Sequence, residues 1–425
     1  MTCDPGQLPA SLLEVLAPQR WPVRPDSLPP GTAVVGGAVR DALLGRLAAQ
    51  PDLDLVVEGD AVALARTLTK RQGGSVVVLD AERSIARLVV GGWTVDLARR
   101  SGGSLEEDLL RRDYSANAIA LELPAEGRPP TLRDPSGGLA DLAAGNLRAI
   151  GETNLLADPL RLLRGVRLAC ELDFQIEATT WQWILRHHRS LGSVAGERVL
   201  AELERMATAP AGGAWLARVL EANLLAGWGQ AAGPGSEAEQ ASLKGLDGAA
   251  AAERQLRPDE AATALPLARL ATLLEGPTLE RLRSSRRLQQ RCGRLRQWWQ
   301  RLADDDGDPE GLTEAERVRL QRDLEGDLPA LALLCRADWA QPALERWRDP
   351  ADPLFHPRAP LDGASLQAAL GLAPGPRLGQ LLDHLTQERA FGRLPVRPEA
   401  NDPETLTAAR RWLSTKKGAS PWFTS

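Results

Sequence analysis

The 425-residue chain carries 51 Lys and Arg against 56 Asp and Glu, a formal net charge of −5, with 43% hydrophobic and 25% charged residues. That length predicts more than one domain around true apolar cores. The acidic balance excludes a protein coated in positive charge that grips any polyanion, though not a local basic patch. No apolar run approaches the roughly 20 residues of a membrane span, so no membrane partner is expected. Residues 1–20 lack a basic start followed by an apolar stretch, so no signal peptide is expected. Cys3, Cys170, Cys292 and Cys335 stand far apart without a CxxC pair. This argues against a zinc ribbon or a disulfide framework and fits a cytoplasmic protein. All but four of the basic residues are arginine, the side chain better suited to phosphate and base edges.

In chain order, residues 1–30 are Pro-rich and read as a loop-like N-terminal extension. Residues 32–35 read as a buried strand, Gly36-Gly37 as a turn, and 38–44 as a short helix stopped near Gly45. Short β-rich runs follow at 53–57, 75–79, 85–90 and 93–97, with a helix at 61–71 between two of them. Residues 105 to about 120 read as helix and 147–150 as a last strand. Beyond Asp158 nearly everything reads as helix rich in Ala, Leu and Arg, with breaks at 229–235, 304–311 and 348–360. The segments predicted are an extension (1–30), a mixed head (31–150), a helical neck (151–228), a helical body (229–347) and a helical tail (348–425).

The head holds most of the chemistry-bearing patterns. Asp52 and Asp54 are two apart at a strand start and so share a face. Two carboxylates there can hold a hard cation such as Mg²⁺ together with substrate phosphates, although a solvated strand end reads the same way. Gly36-Gly37 between a strand and a helix, with Arg40 following, can approach phosphate closely; it also satisfies ordinary packing, and no GxxxxGK[ST] loop occurs. Asp96 is an acid within an apolar strand. If that strand neighbours the Asp52/Asp54 strand, three carboxylates converge as two-metal phosphoryl or nucleotidyl transfer requires. Arg112, Asp113 and Asn117 are read as entering a helix and facing one groove. Arg161, Arg164 and Arg167 lie along one helix side and would repel unless they meet anions. Asp158 before Pro159 is also ordinary helix-start chemistry.

Six segments follow one another along the chain: residues 36–45 (GGAVRDALLG), 52–54 (DLD), 111–118 (RRDYSANA), 134–138 (DPSGG), 158–164 (DPLRLLR) and 197–203 (ERVLAEL). Together they resemble the class II tRNA nucleotidyltransferases, the family that also holds the bacterial poly(A) polymerases, and residues 362–394 resemble the helical tail of such enzymes. The fold this implies is α+β: a small mixed-sheet nucleotidyltransferase head followed by an elongated all-helical body and tail. The resemblance implies that Gly36, Gly37 and Arg40 bind the triphosphate, that Asp52 and Asp54 hold Mg²⁺, and that Arg112, Asp113 and Asn117 lie near the sugar. It also implies that Asp158 and Arg161 read the base, with Arg164 and Arg167 at the phosphates or supporting Arg161, and that Glu197 and Arg198 brace the surrounding helices. A carboxylate accepting from an exocyclic amine beside a guanidinium donating to a ring nitrogen suits cytosine and adenine, and neither uracil nor guanine.

Three departures stand out. The Glu that usually precedes the template Asp is Ala157, so Asp158 or Arg161 needs another partner. Tyr114-Ser115-Ala116 replaces a Phe-Thr-Ile type run. Only 14 residues separate Asp96 from Arg111, where full CCA-adding members carry a longer flexible loop that helps the site switch from CTP to ATP. The shortened form resembles members that add two cytidines. The expected activity is therefore addition of CC from CTP, or of full CCA from CTP and ATP, to the tRNA 3′ end, with a separate A-adding enzyme implied in the first case. A poly(A) polymerase and an inactive RNA-binding relative are the alternatives. Residues 281–301 hold eight arginines and no acid before Asp304–Asp306 and could follow RNA phosphates. His187, His188 and His384 lack the partners of an HD-type metal site.

Overall fold

The computed structural model describes residues 7–125, 128–229, 236–303, 309–395 and 402–415. They divide into two compact units, Met1–Val194 with Ala222–Gly227, and Ala195–Glu221 with Trp228–Ser425. No helix among the described residues is long and apolar enough to cross a membrane.

The first unit is built on a seven-stranded sheet. Its strands are β1 (Ala33–Val35), β2 (Leu53–Val57), β3 (Ser75–Asp80), β4 (Ile85–Val90), β5 (Trp93–Arg99), β6 (Ala120–Glu122) and β7 (Thr131–Arg133), in the order β3-β4-β5-β2-β1-β6-β7. Only the β2–β5 pair is parallel; the other five pairs are antiparallel, so the sheet is mixed as expected. Its first-unit helices are α1 (Leu8–Leu16), α2 (Gly37–Leu43), α3 (Ala61–Gln72), α4 (Leu105–Leu109), α5 (Gly138–Ala144), α6 (Glu152–Ala157) and α7 (Leu160–Leu172), followed by Ala178–His187. Asp60 caps α3 by accepting from Val62 and Ala63, and Ala65 and Leu68 of that helix are fully buried.

Three expectations need correction. Residues 1–30 are not simply loop: Leu8–Leu16 is helical, because Pro9 sits in the first turn where its missing N–H costs nothing and Leu12 and Leu16 are buried. The expected helix from 105 to about 120 stops at Leu109. A one-turn 3₁₀ segment at Ser115–Asn117 and strand β6 occupy the rest. Leu105 and Leu109 satisfy their apolar spacing within that short helix, packing with Ala33, Val35, Val56, Ala118 and Ala120. The expected strand at 147–150 is only Asn146–Leu147, paired with Gln175–Ile176 in a separate two-stranded ribbon.

Among its described residues the second unit is built of helices without strands, from Gly196–Thr208 to Pro403–Ser414. The expected break at 348–360 is present between Ala337–Trp347 and Gly363–Leu370. Most of the breaks at 229–235 and 304–311 lie outside the described residues.

Candidate active site

Gly36 ends β1 and opens α2 with φ +72°, a conformation that favours glycine. A Cβ there would sit 2.9 Å from Asp54 Oδ2, so the glycine turn and the β2 acid are in close contact. Strand register sets out the rest of the acidic face. Asp54 lies opposite Asp96 across the parallel β2–β5 pair, and Asp96 lies opposite Arg87 across β5–β4. Asp52 is exposed immediately before β2.

The Asp54 carboxyl is pushed up to about 6. Burial is the main cause; Arg112 opposes it, Asp96 and Asp52 reinforce it, and Arg87 opposes it more weakly. The carboxylates of Asp52 and Asp54 are the donor type a hard divalent cation takes, and its charge would offset their repulsion. Mg²⁺ commonly takes one or two protein carboxylates together with substrate phosphates, which Asp52 and Asp54 could provide. Asp96 is engaged differently: Arg87 Nε and Nη2 donate to its two oxygens at 2.8 Å each. Among the described residues no group of three or more His, Cys, Asp or Glu side chains is arranged to hold a metal ion.

A polar chain leads away from the glycine turn. Arg40 Nε donates to Asp41 at 2.8 Å and its Nη1 to Asn117 Oδ1 at 2.7 Å. Asn117 Nδ2 reaches Asp113 Oδ1 at 3.5 Å, and Arg164 Nη1 reaches Asp113 Oδ2 at 3.4 Å. Asp113 also accepts from the N–H of Tyr114 at 2.8 Å, which turns the chain out of the helix that composition had favoured. The 134–138 segment holds this turn in place. Asp134 accepts from the N–H groups of Gly138 and Leu139, and a Cβ at Gly138 would meet the Ser115 carbonyl at 2.2 Å. Arg112 pairs with Asp108 at 3.3 Å, while its buried Nε has no hydrogen-bond partner among the described residues. That orphaned donor beside Asp54 is suited to an anionic ligand.

Helix α7 carries the Asp-x-x-Arg segment. Asp158 Oδ1 accepts from the N–H of Leu160 at 3.2 Å, but the N-cap of α7 is Pro159, one residue later than helix-start chemistry at Asp158 suggested. Arg161 Nη1 donates to the carbonyls of Asn154 (2.7 Å) and Arg111 (3.1 Å). Arg167 is only 5% exposed and pairs with Glu171. The stripe of mutually repelling arginines expected from spacing is instead resolved by three different sets of partners.

Sequence reasoning missed three participants, Arg87, Asn154 and Gly165, and singled out Tyr114 only as a departure. The fully buried Tyr114 donates its hydroxyl to the Arg161 carbonyl at 2.7 Å. A Cβ on Gly165 would lie 1.9 Å from that hydroxyl oxygen, so the larger ring at 114 and the missing side chain at 165 fit each other. The departure at Ala157 was the one signal pointing toward Asn154.

In the second unit, five of the eight arginines in the 281–301 stripe are bonded within that unit. Arg283 reaches Glu197, Arg291 reaches Asp327, Arg301 reaches Glu316, and Arg294 and Arg296 reach backbone carbonyls. The neutralising acids come from other helices; Asp304, Asp305, Asp306 and Asp308 lie outside the described residues. Trp298 is buried and donates to Asp323 at 3.0 Å. His187 bonds Glu152 and His384 stacks on Trp412.

Residues 32–148 match the family model for the poly(A) polymerase head domain, and residues 173–228 match that for the probable RNA and SrmB-binding site of polymerase A. The chain is 33% identical over 409 residues to a CC-adding tRNA nucleotidyltransferase of Synechocystis, covering 90% of this chain and 94% of the relative. It is 32% identical to an A-adding tRNA nucleotidyltransferase of Deinococcus radiodurans, covering 94% and 99%. The fold matches the solved Thermotoga maritima CCA-adding enzyme complexed with tRNA-CCA, with a TM-score of 0.69, 21% identity, and 97% and 96% of the two chains covered. Identity sustained over nine-tenths of both sequences, on a head that brings the glycine turn against the Asp-x-Asp strand, places this chain in the family of class II tRNA nucleotidyltransferases and bacterial poly(A) polymerases, as a nucleotidyltransferase.

Proposed function

We propose that the protein adds two cytidines to the 3′ end of tRNA from CTP, with Mg²⁺ and without a nucleic-acid template. The observation that carries CC addition is the short, pinned connection from β5 to Arg111. Arg100 N–H bonds Val57 O at 2.7 Å, Ser101 N–H bonds Asp108 at 2.8 Å, and Gly103 N–H bonds Glu107 at 2.8 Å. Leu105 and Leu109 anchor its helix in the core beneath the sheet. A connection held by these bonds and two buried leucines has little freedom to reshape the site between a pyrimidine and a purine.

Asp52 and Asp54 are the ligands this reading gives to Mg²⁺, which when bound supplies positive charge for the triphosphate and eases loss of the 3′-hydroxyl proton. Gly36, Gly37 and Arg40 take the phosphates. Arg112, with its free Nε, takes the triphosphate or sugar beside Asp113 and Asn117. Asp158 accepts from the cytosine amine and Arg161 donates to the adjacent ring nitrogen. The 3′-oxygen forms the new bond to the α-phosphorus, the bond from that phosphorus to the bridging oxygen breaks, and pyrophosphate leaves. Asp96, once released from Arg87, is the third carboxylate.

The relatives include both CC-adding and A-adding enzymes at similar identity, so substrate ends must be tested separately. tRNAs ending at the discriminator base, at C and at CC are incubated with CTP or ATP alone. The expected products are two C additions on the first, one on the second, and none from ATP on the third. Extension of the CC-ended tRNA by A overturns the CC assignment.

A further inference from the structure

A base-reading arginine must be held in one orientation, and residue 157, beside Asp158, is an alanine with no group to hold it. The hold comes from elsewhere in the same unit. Arg161 Nη1 donates to the carbonyls of Asn154 and Arg111 at 2.7 and 3.1 Å. The side chain of Asn154 in turn donates through Nδ2 to the carbonyls of Leu110 at 2.8 Å and Arg112 at 2.7 Å. One carboxamide thus ties α6 to the 110–112 segment at the place where Arg161 touches both.

We propose that Asn154 is a positioning residue for base selection. Its carboxamide keeps the Asn154 and Arg111 carbonyls converged on one point, and that point fixes the Arg161 guanidinium. All the bonds of the Arg161 side chain run through Nη1, which leaves the other N–H groups for the base edge. Without the tie the two acceptors separate and the guanidinium swings. A swinging guanidinium donates to a uracil carbonyl as readily as to the cytosine ring nitrogen, and it must be ordered anew with each nucleotide. The consequence falls on discrimination and on CTP binding more than on the bond-making step. This inference rests on Arg161 being the base-edge donor of the proposed function.

The test compares kcat/KM for CTP and UTP on tRNA ending at the discriminator base, alongside melting temperature. The proteins are wild type, Arg161→Ala, Asn154→Ala and Asn154→Asp, the last keeping the volume while removing both N–H donors. Arg161→Ala is expected to lose the preference for CTP. Both Asn154 variants are expected to lower the CTP-to-UTP ratio about tenfold, as loss of two hydrogen bonds implies, through a raised KM for CTP with kcat changed less. An unchanged ratio in Asn154→Ala, with only a lowered melting temperature or kcat, overturns the proposal while the base reader stands. Full preference for CTP in Arg161→Ala instead overturns the base reader itself. Should Asn154→Ala fail to fold, Asn154→Asp carries the same test.

Discussion

The sheet that carries Asp54 and the helices of the second unit treat charge in opposite ways. On the sheet, Asp54 is placed among two further acids, and burial pushes its carboxyl up to about 6; Arg112 beside it keeps a buried, unpartnered Nε. In the helical unit several arginines are closely matched, although buried atoms such as Thr272 Oγ1 and Gln321 Oε1 lack a hydrogen-bond partner among the described residues there too. Arg348 makes bonds of 2.6 and 2.8 Å to Glu260. Arg269, only 1% exposed, donates to the carbonyls of Leu246, Ala207, Ala209 and Pro210 at 2.7–3.0 Å. Arg393 holds Glu314 with two bonds of 2.8 and 2.9 Å. Arginine count therefore does not separate binding from scaffolding; what sets the sheet apart is a buried acid held beside two others. A region that leaves charge uncompensated at a cost to its own stability is the one expected to meet a charged ligand.

The strongest way to break this comparison is Asp54→Asn. If the acid is retained for function against stability, the variant loses nucleotide incorporation by at least about 10³-fold, the scale of removing a principal electrostatic group from a phosphoryl-transfer site. It should nevertheless melt at a higher temperature than wild type, because a charge next to Asp52 and Asp96 is gone. Single-turnover CTP incorporation and thermal unfolding of the same preparation check both halves. A lowered melting temperature would mean that Asp54 is part of the scaffold after all.

Arg269→Leu should show the reverse pattern. Its side-chain volume is partly kept, but four carbonyls that now share a guanidinium lose their donor, and unsatisfied buried groups are costly. The expected loss is about 3–5 kcal/mol of stability, measured by urea unfolding. Incorporation per folded molecule should stay near wild type at a temperature where the variant remains folded. Arg269→Lys should fall between the two, since an ammonium cannot match the planar fork.

How much of this was legible beforehand differs between the same regions. The strands Leu53–Val57 and Ile85–Val90 have the boundaries that alternation and turn residues predicted, because each is bounded by local signals. The segment after Leu109 was misread because its composition favours helix. The overriding interactions are tertiary: the buried ring of Tyr114 against Gly165, and α5 against the Ser115 carbonyl. Neither is visible in the local pattern. Candidate residues of the head were legible as residue types in order, but not by partner. Arg40 bonded to Asn117, Asp96 held by Arg87 and the withdrawal of Arg167 into the core all depend on the register and burial that only the fold supplies. In the 281–301 stripe the partners of Arg283, Arg291 and Arg301 are likewise acids distant in sequence.

The mildest case, Glu314, shows what complete partnering contributes at a surface. Arg393 and Gln387 hold its carboxyl below the ordinary range, to about 2. A carboxyl whose pKa is depressed in the folded state stabilises the protein above its unfolded pKa, and that contribution fades as pH falls toward the folded value. The pair's contribution should therefore be full at neutral pH and be lost between about pH 4.5 and pH 2. Both side chains are about two-fifths exposed, so water and salt screen most of the attraction. Glu314→Gln is expected to cost no more than about 1 kcal/mol at neutral pH, and less at high salt. Urea midpoints of wild type and variant measured down the acid limb should converge as the carboxyl is protonated. If they stay apart at the acidic end, the difference arises from packing around Phe391, which lies between Arg317 and Arg393 at 5.6 Å from each, and the ion pair is not its source.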